Sequence, residues 1–311
     1  MRIGVIGLGS MGAPMARNLV AAGHEVRGFD IAPEKLAAAT ACGIAAAESA
    51  AGLAARCELL ILMVWDDDAL RDALFGPAGI CSSRQLPQCV VDFSTTSVAL
   101  AHEAAGVLRQ RDCVFLDGAV IGGGAAAAQA ATSPIVVAGD RATYDRYLPT
   151  FARLGRCDYV GAQGHAKVVK LINNLLVGVV TAANAEALSL GLALGVELPQ
   201  LVDRMRASAG ASRVLDSYMG RYVAEGRYPE GLIGHRLMAK DLRLAAELAE
   251  SMDCAVTYPR FGEQMYATFG RVLGDDRPFP SAFEYFRRMS SVEATAPRVP
   301  LEFSDQGRSG R

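Results

Sequence analysis

The amino-acid sequence predicts a two-domain α/β protein, in which a doubly wound, mostly parallel sheet is followed by a long connecting helix and a second, all-α domain. Up to about residue 160, short aliphatic or β-branched runs alternate with Ala- and Leu-rich segments, a pattern typical of βαβ units. After Gly164 the strand-like runs stop and helical periodicity takes over. The length of 311 residues is about twice that of a usual single domain, so two hydrophobic cores are expected.

Six short apolar runs are the predicted strands. They occupy residues 2–6, 25–29, 59–64, 89–92, 114–117 and 135–138. A helical segment begins after Gly164 and continues to about Ala193. At 1.5 Å per residue, about thirty residues span roughly 45 Å, which is enough to leave one domain and form the core of another. Gly195 and Pro199 are predicted to end this helix.

The domain boundaries follow from these patterns. The sheet domain is predicted to cover residues 1–162, the connecting helix 163–194 and the helical domain 195–290. Within the helical domain, periodic apolar residues predict one helix from Leu201 and another over 231–251. Residues 291–311 lose this periodicity and are rich in Pro, Ser, Gly and Arg, so we expect a disordered tail there.

Composition argues against several classes of function. The chain carries 31 basic and 33 acidic side chains, whereas nucleic-acid-binding proteins normally show a basic surplus or cluster. Its seven cysteines form no CxxC or Cys/His spacing and its four histidines are scattered, so we expect a reduced, cytoplasmic protein without a metal site. Residues 168–196 are apolar but include Lys170 and Asn174, which favours a buried helix over a membrane span. The predicted partners are therefore small molecules, not nucleic acid or a membrane.

A glycine-rich turn follows the first predicted strand and opens a helix. Its residues are Gly7, Leu8, Gly9, Ser10, Met11 and Gly12. In a dinucleotide-binding GxGxxG turn, the first glycine makes the tight bend, the second lets the backbone approach the pyrophosphate, and the third allows helix and strand to pack closely. The N–H groups and the positive dipole end of the helix then attract the phosphates. The first domain is therefore predicted to be a Rossmann domain that binds NAD or NADP.

Asp30 ends the second predicted strand, about twenty residues after the glycine turn, where a carboxylate accepts hydrogen bonds from a ribose 2′-hydroxyl and repels a 2′-phosphate. The next three residues include no arginine, so NAD is favoured over NADP. Alternatively, Asp30 caps the helix that starts near Pro33.

Val64, Trp65 and Thr95 lie near further strand ends, where ligands of doubly wound sheets bind. Trp65 equally fits an interpretation as ordinary packing.

Lys170 is the candidate proton-transfer group. A site that moves a hydride to or from a carbonyl carbon also needs a group that exchanges a proton with the oxygen. Lys170 and Asn174 are four residues apart in a predicted apolar helix, so they share a face on which both can hold one small substrate. Burial and the like charge of Lys167 would lower the pKa of Lys170 toward neutrality. Alternatively, both lysines lie on a solvated helix end.

Four segments resemble the β-hydroxyacid dehydrogenase family, whose members include 3-hydroxyisobutyrate dehydrogenase and, as a relative, 6-phosphogluconate dehydrogenase. The segments are GLGSMGAPMARNL (7–19), DFSTTS (92–97), GxxGxxxxxKxxNN (161–174) and MAKDLRLA (238–245). They occur in the order of the family, and the similarity runs from residue 1 to about residue 290. The resemblance implies that Lys170 is the catalytic acid/base and that Asn174 orients the substrate.

The same resemblance implies roles for residues near the cofactor. Thr95 and Lys240 would approach the nicotinamide half, and Val64 and Trp65 would line it. From the sequence alone, Lys240 and the acidic residue after it could instead be an exposed charged pair on a helix.

Ile121 departs from the family pattern. The family typically carries a DAPVSGG-like segment, in which a serine and two glycines bind a substrate carboxylate, whereas this chain has Ile121 followed by Gly122 and Gly123. An isoleucine side chain forms no hydrogen bond, so a carboxylate would depend on the backbone N–H groups of the two glycines. Alternatively, the substrate is more apolar at that end, or the loop tolerates the change without consequence.

These patterns predict an NAD-dependent oxidoreductase that interconverts a small 3-hydroxy acid, such as 3-hydroxyisobutyrate, with its aldehyde acid. Two alternatives remain at this stage: an imine reductase with an apolar pocket, and a non-catalytic dinucleotide-binding scaffold. Imine reductases usually replace the lysine by an acid or a tyrosine, and Lys170 is present here. Family resemblance and the apolar helical half predict a homodimer or homotetramer formed through the C-terminal domain.

Overall fold

A computed structural model describes residues 1–223, 227–228 and 231–290. Its eight strands are β1 Arg2–Ile6, β2 Glu25–Phe29, β3 Ala45–Ala46, β4 Leu59–Leu62, β5 Cys89–Asp92, β6 Val114–Val120, β7 Ser133–Ala138 and β8 Gly155–Tyr159. Its α-helices are α1 Gly12–Ala21, α2 Pro33–Thr40, α3 Ala50–Ala54, α4 Asp67–Phe75, α5 Val98–Arg109, α6 Gly124–Gln129, α7 Arg141–Phe151, α8 His165–Ala193, α9 Leu198–Arg206, α10 His235–Ser251, α11 Tyr258–Leu273 and α12 Ala282–Met289. A π-helical segment covers Leu215–Val223. The tail expected over 291–311 lies outside the described residues.

The eight strands form one sheet in the order β3-β2-β1-β4-β5-β6-β7-β8. All neighbouring strands are parallel except β6 and β7. The strand order reverses between β1 and β4, which opens a crevice at the carboxyl ends of these strands. The predicted doubly wound, mostly parallel sheet is therefore confirmed.

Two strands were not predicted, and both lack an apolar run. β3 consists of two exposed alanines. β8 is an edge strand with exposed Arg156 and Asp158, so its sequence does not show the hydrophobicity of a central strand. The six predicted strands are present with shifted ends: β4 stops at Leu62 and β6 continues to Val120.

Both faces of the sheet are covered by helices, as expected for a parallel sheet. Because side chains alternate along a strand, Leu59 and Ile61 pack into one core, with Met15 of α1, and Leu60 and Leu62 into the other. A third core lies among α8 to α12, where its large buried side chains include Met238, Tyr266 and Phe269. The helical part therefore has a core of its own.

Helix α8 connects the sheet to the helical part, as predicted, and its start is fixed by Asp117 of β6. The Asp117 carboxylate accepts hydrogen bonds from the backbone N–H groups of Gly164 (2.8 Å), Ala166 (3.0 Å) and Lys167 (3.3 Å). The first orphan N–H groups of the helix are thereby satisfied. The helix ends at Ala193, whereas Pro199, predicted to end it, lies in the first turn of α9.

One face of α8 is exposed and apolar. Ile172, Leu176 and Leu190 expose 53%, 60% and 61% of their surface. Among the residues that the structure describes, α8 is the one helix with the length and hydropathy of a membrane span, a property shared by core helices of soluble proteins. A third of its most apolar stretch is buried. The expectation of a buried helix therefore holds for one face only.

Candidate active site

The glycine turn lies at the carboxyl end of β1, in the crevice where the strand order reverses. A Cβ at Gly7 would collide with the carbonyl oxygen of Met63, and a Cβ at Gly12 would collide with the carbonyl oxygen of Gly7. At Gly9, by contrast, a Cβ would meet no atom within 4 Å. Two glycines are thus required by packing, and the third leaves open space beside the backbone at the start of α1. This arrangement fits the pyrophosphate of a dinucleotide.

Asp30 lies directly beside this turn. Its Oδ2 accepts a hydrogen bond from the backbone N–H of Leu8 (2.7 Å), and its Oδ1 accepts one from the N–H of Ala32 (2.9 Å). Ala32 occupies the N-cap position of α2, without a side-chain hydrogen bond. The alternative in which Asp30 caps this helix is therefore wrong. The carboxylate borders the space where the ribose of a bound dinucleotide lies in this fold.

Trp65 and Thr95 follow the carboxyl ends of β4 and β5, and Lys240 of α10 joins them. The Nζ of Lys240 donates hydrogen bonds to the carbonyl oxygens of Thr95 (2.6 Å) and Trp65 (3.1 Å). Only 10% of the Lys240 side chain is exposed. The alternative of an exposed charged pair is therefore wrong, since Lys240 links the helical part to the crevice.

The indole of Trp65 is half-exposed and lies outside the three cores of the protein. The guanidinium of Arg236 on α10 lies 5.5 Å from its ring centroid. Neighbouring Val64 is partly buried, and its backbone N–H donates to the Oγ of Ser94 (2.8 Å). Ordinary core packing therefore does not describe Trp65, which borders the crevice between the sheet and α10.

Lys167 is fully buried, contrary to the alternative of a solvated helix end. Its Nζ forms an ion pair with Asp92 Oδ2 at 2.8 Å. It also donates to the backbone carbonyl oxygens of Asp92 (2.9 Å), Ser94 (2.8 Å) and Gly118 (2.9 Å). These oxygens occupy the donors of the ammonium, so Lys167 joins α8 to β5 and β6 and is not available for a substrate.

Lys170 is partly buried one turn further along α8. Its Nζ donates a hydrogen bond to the carbonyl oxygen of Val120, at the end of β6 (2.7 Å). Burial lowers the pKa of Lys170 below its ordinary value; nearby Asp241 opposes this shift, whereas Lys240 and Lys167 add to it. A lowered pKa makes the free amine, which is the form that accepts a proton, more abundant at a given pH.

Asn174 lies one turn after Lys170 and is 4% exposed. Its Nδ2 donates to the Oδ2 of Asp241, and its Oδ1 accepts from the Nδ2 of Asn173 (3.0 Å). Lys170 and Asn174 therefore lie one turn apart on the same helix, and Asp241 is an additional partner of Asn174. Asp241 was not predicted as a site residue, although its position next to Lys240 was the signal that could have identified it.

Ile121 and the two glycines after it continue from β6 beside Lys170. The backbone N–H of Ile121 donates to the carbonyl oxygen of Pro134 (2.9 Å), and its side chain packs with the alanine and valine side chains between the sheet and α8. Gly123 has a φ of 86°, in the left-handed region that favours glycine. The helical part of the protein approaches the helix that follows these glycines: a Cβ at Gly231 would lie 2.9 Å from the Cβ of Ala125 in α6. A loop of the helical part therefore lies against this end of the sheet.

No cluster of three or more His, Cys, Asp or Glu side chains suited to a metal ion occurs in the portion of the chain described here. The seven cysteines are free. Burial raises the pKa of Cys57 and Cys113 to about 12, so these two thiols stay protonated at neutral pH.

Two family models match different parts of the chain. Residues 2–162 match the model of the NAD-binding domain of 6-phosphogluconate dehydrogenase, and residues 164–286 match that of the NAD-binding domain of NADP-dependent 3-hydroxyisobutyrate dehydrogenase. The chain is 30% identical to 2-(hydroxymethyl)glutarate dehydrogenase of Eubacterium barkeri, over 95% of this chain and 98% of that protein. It is 33% identical to the NAD-dependent L-serine dehydrogenase of Pseudomonas aeruginosa, over 80% of this chain and 86% of the relative.

Solved structures agree with this result. The 3-hydroxyisobutyrate dehydrogenase of Mycobacterium tuberculosis, solved with L-serine, superimposes with a TM-score of 0.83 at 29% identity. The match covers 92% of this chain and 99% of that chain. Together with the nucleotide crevice and the Lys170 site, these matches show that the chain belongs to the 3-hydroxyisobutyrate dehydrogenase-like family of NAD(P)-dependent hydroxyacid dehydrogenases.

Proposed function

We propose that this protein oxidises a small 3-hydroxy acid to the corresponding aldehyde acid with NAD, and catalyses the reverse reduction. The observation that carries the proposal is the position of Lys170, whose lowered pKa suits proton exchange and which lies one turn from Asn174. The names of the relatives support the substrate class, because serine, 3-hydroxyisobutyrate and 2-(hydroxymethyl)glutarate each carry a hydroxymethyl group on the carbon next to a carboxylate.

When bound, NAD supplies the nicotinamide carbon that accepts the hydride from the carbinol carbon. Lys170 in its neutral form then takes the proton from the substrate hydroxyl, and in the reverse direction its ammonium returns that proton. The carbonyl oxygen of Val120 accepts one Lys170 N–H, which restricts the orientation of the amine. Asn174 donates its remaining amide N–H to a substrate oxygen. Holding the reacting groups in this geometry lowers the barrier by removing the entropy cost of orientation.

The substrate class is tested by a screen of hydroxy acids with purified protein. We expect NADH formation with at least one of L-serine, 3-hydroxyisobutyrate and 2-(hydroxymethyl)glutarate.

If the N–H groups of Gly122 and Gly123 bind the carboxylate, kcat/KM for 3-hydroxyisobutyrate should exceed that for 2-methylpropan-1-ol by about tenfold or more, since charge-assisted hydrogen bonds contribute about 1.5–3 kcal/mol. Equal values of kcat/KM for the two compounds would indicate that the part of the substrate beside Ile121 is apolar. No turnover with any hydroxy acid would contradict the proposed function.

Two other functions would give different results in the same screen. An imine reductase would reduce cyclic imines in preference to oxidising any hydroxy acid. A non-catalytic scaffold would bind NADH without turnover of any alcohol or acid. The lowered pKa of Lys170 favours a proton-transfer reaction over a non-catalytic scaffold. The presence of a lysine at this position favours the dehydrogenase over an imine reductase, because imine reductases usually carry an acid or a tyrosine there.

Asp30 should determine the preference between NAD and NADP. We expect Asp30→Ala to weaken NADH binding by about tenfold through loss of the hydrogen bonds to the ribose, which corresponds to about 1.4 kcal/mol. NADPH binding should improve relative to NADH, since the repulsion of the 2′-phosphate is removed. Dissociation constants for both cofactors, measured from NAD(P)H fluorescence, give this ratio. Glu34→Ala, which removes an exposed carboxylate from the first turn of α2, is the matched control and should leave the ratio unchanged.

We also propose that the protein acts in the cytoplasm as a homodimer or homotetramer. The exposed apolar face of α8 supports an assembly that involves the helical part. The apparent mass in solution, measured by light scattering, tests the assembly.

A further inference from the structure

Asp241 is a buried carboxylate held by residues of the candidate active site. It is 2% exposed and lies on α10 directly after Lys240. Its Oδ2 accepts a hydrogen bond from Nδ2 of Asn174, and its Oδ1 lies 3.1 Å from Nζ of Lys240. Taking a carboxylate out of water is costly unless charged or polar partners compensate it. Both partners here belong to the proposed site, which suggests a role beyond packing.

The carboxylate determines how the amide of Asn174 is oriented. A carboxylate only accepts hydrogen bonds, so the amide must turn its Nδ2 toward Asp241. Its Oδ1 then accepts the hydrogen bond from Nδ2 of Asn173. One N–H of Nδ2 remains for a substrate oxygen. Without Asp241, the remaining partner is the amide of Asn173, which can present either its oxygen or its N–H groups to Asn174.

The other partner of Asp241 extends to the cofactor side of the site. Nζ of Lys240 donates to the carbonyl oxygens of Trp65 and Thr95, which follow β4 and β5. A chain of polar contacts therefore runs from Asn174 through Asp241 and Lys240 to the carboxyl edge of the sheet. This series of contacts therefore joins α8 and α10 to the sheet.

We propose that Asp241 is a positioning residue, whose carboxylate fixes the Asn174 amide on the substrate side and the Lys240 ammonium on the cofactor side. The proposal rests on the proposed dehydrogenase function, in which Lys170 and Asn174 act on one substrate. Loss of the Asp241 carboxylate misaligns both the Asn174 amide and the Lys240 ammonium. We therefore expect kcat to fall by a larger factor than the affinity for the substrate.

The charge of Asp241 also acts on Lys170. The charged groups around Lys170 are Asp241 and Lys240 on α10 and Lys167 on α8, the last of which is paired with Asp92 of β5; Asp117 of β6 caps the same helix. Asp241 favours the ammonium, whereas Lys240 and Lys167 disfavour it. Neutralising Asp241 should therefore lower the pKa of Lys170 further. Since oxidation needs the free amine of Lys170, the acid limb of the pH profile of kcat for oxidation should move to lower pH.

The test compares Asp241→Asn, Asp241→Glu and the wild-type protein. For Asp241→Asn, we expect kcat to fall about tenfold to a hundredfold with a smaller change in KM, and the acid limb of the profile to move down by about one pH unit. The titration of Lys170 is also read without turnover, from the pH dependence of its acetylation by trace acetic anhydride, quantified by peptide mass spectrometry. For Asp241→Glu, which keeps the charge but moves the oxygens, we expect a lower kcat with an unchanged Lys170 titration.

Glu247→Gln is the matched control, because it removes an exposed carboxylate from the same helix, and it should match the wild type in every measurement. A wild-type kcat in either Asp241 variant would overturn the proposal. The proposal would also be overturned if Asp241→Asn lowered both stability and kcat but left the titration of Lys170 unchanged, since a purely structural residue would give that result. If the wild type oxidises no hydroxy acid, the proposed function fails, and the acetylation titration still decides whether Asp241 acts on Lys170.

Discussion

Replacing Lys170 with alanine is expected to lower kcat for hydroxy-acid oxidation by about 10²–10⁴, the usual contribution of a positioned acid–base group. The structure gives the reason: Lys170 has a lowered pKa, and its Nζ is oriented by the carbonyl oxygen of Val120, near Asn174. Steady-state kinetics with the best substrate of the screen measure the effect. NADH binding, followed by fluorescence, should change little, because Lys170 is not among the proposed cofactor contacts.

Lys35→Ala is the matched control for Lys170→Ala. Lys35 is an exposed lysine on α2, and its removal should leave both kcat and NADH binding at the wild-type level. Lys170→Arg adds a second comparison, because an arginine keeps the charge but does not release its proton at accessible pH. If Lys170→Ala keeps near-normal turnover with a substrate that the wild type accepts, the proposed proton-transfer role is wrong.

Replacing Lys167 with methionine should affect stability more than any other single lysine substitution in this chain. The change leaves Asp92 fully buried without its cation and removes the donor from three carbonyl oxygens. Breaking a buried ion pair by removal of one partner typically costs about 3–5 kcal/mol. We therefore expect a loss of this size in the free energy of unfolding, measured by urea denaturation, or failure to fold.

A double variant separates the two causes of this loss. Asp92→Asn combined with Lys167→Met removes both charges and should recover part of the stability, because no uncompensated carboxylate remains in the interior. Lys35→Met, on the surface, should change the unfolding free energy by about 0.5 kcal/mol or less. A Lys167→Met protein as stable as this control would show that the buried pair contributes nothing to the fold.

Local patterns accounted for most of the fold and for the nucleotide crevice. The apolar runs of β1, β4 and β5 predicted their own positions, because central parallel strands are buried on both faces. The GxGxxG turn was recognisable after β1 because its glycine spacing is local, although the atom that excludes a Cβ at Gly7 is the carbonyl oxygen of distant Met63. By contrast, β3 and β8 were missed because they lie at the edges of the sheet, where burial does not constrain their sequence.

The roles of the charged residues depended on contacts between distant segments. Lys167 and Lys170 are three residues apart on one apolar helix, and the helical pattern alone does not distinguish them. Folding places Lys167 between β5 and β6, where Asp92 and three carbonyl oxygens surround it, and leaves Lys170 with one carbonyl partner and a lowered pKa. Asp241 likewise acquires its partners only when α10 packs against α8.

Sequence alone therefore established the strand and helix pattern, the nucleotide turn and the family of this protein, because each of these depends on residues that are neighbours along the chain. Tertiary structure decided which lysine is buried in an ion pair and which keeps a single carbonyl partner and a lowered pKa, and it joined Asp241 to Asn174. The physical reason is that burial and the position of opposite charges set the energy of an ionisable group, and both are produced by segments far apart in the chain.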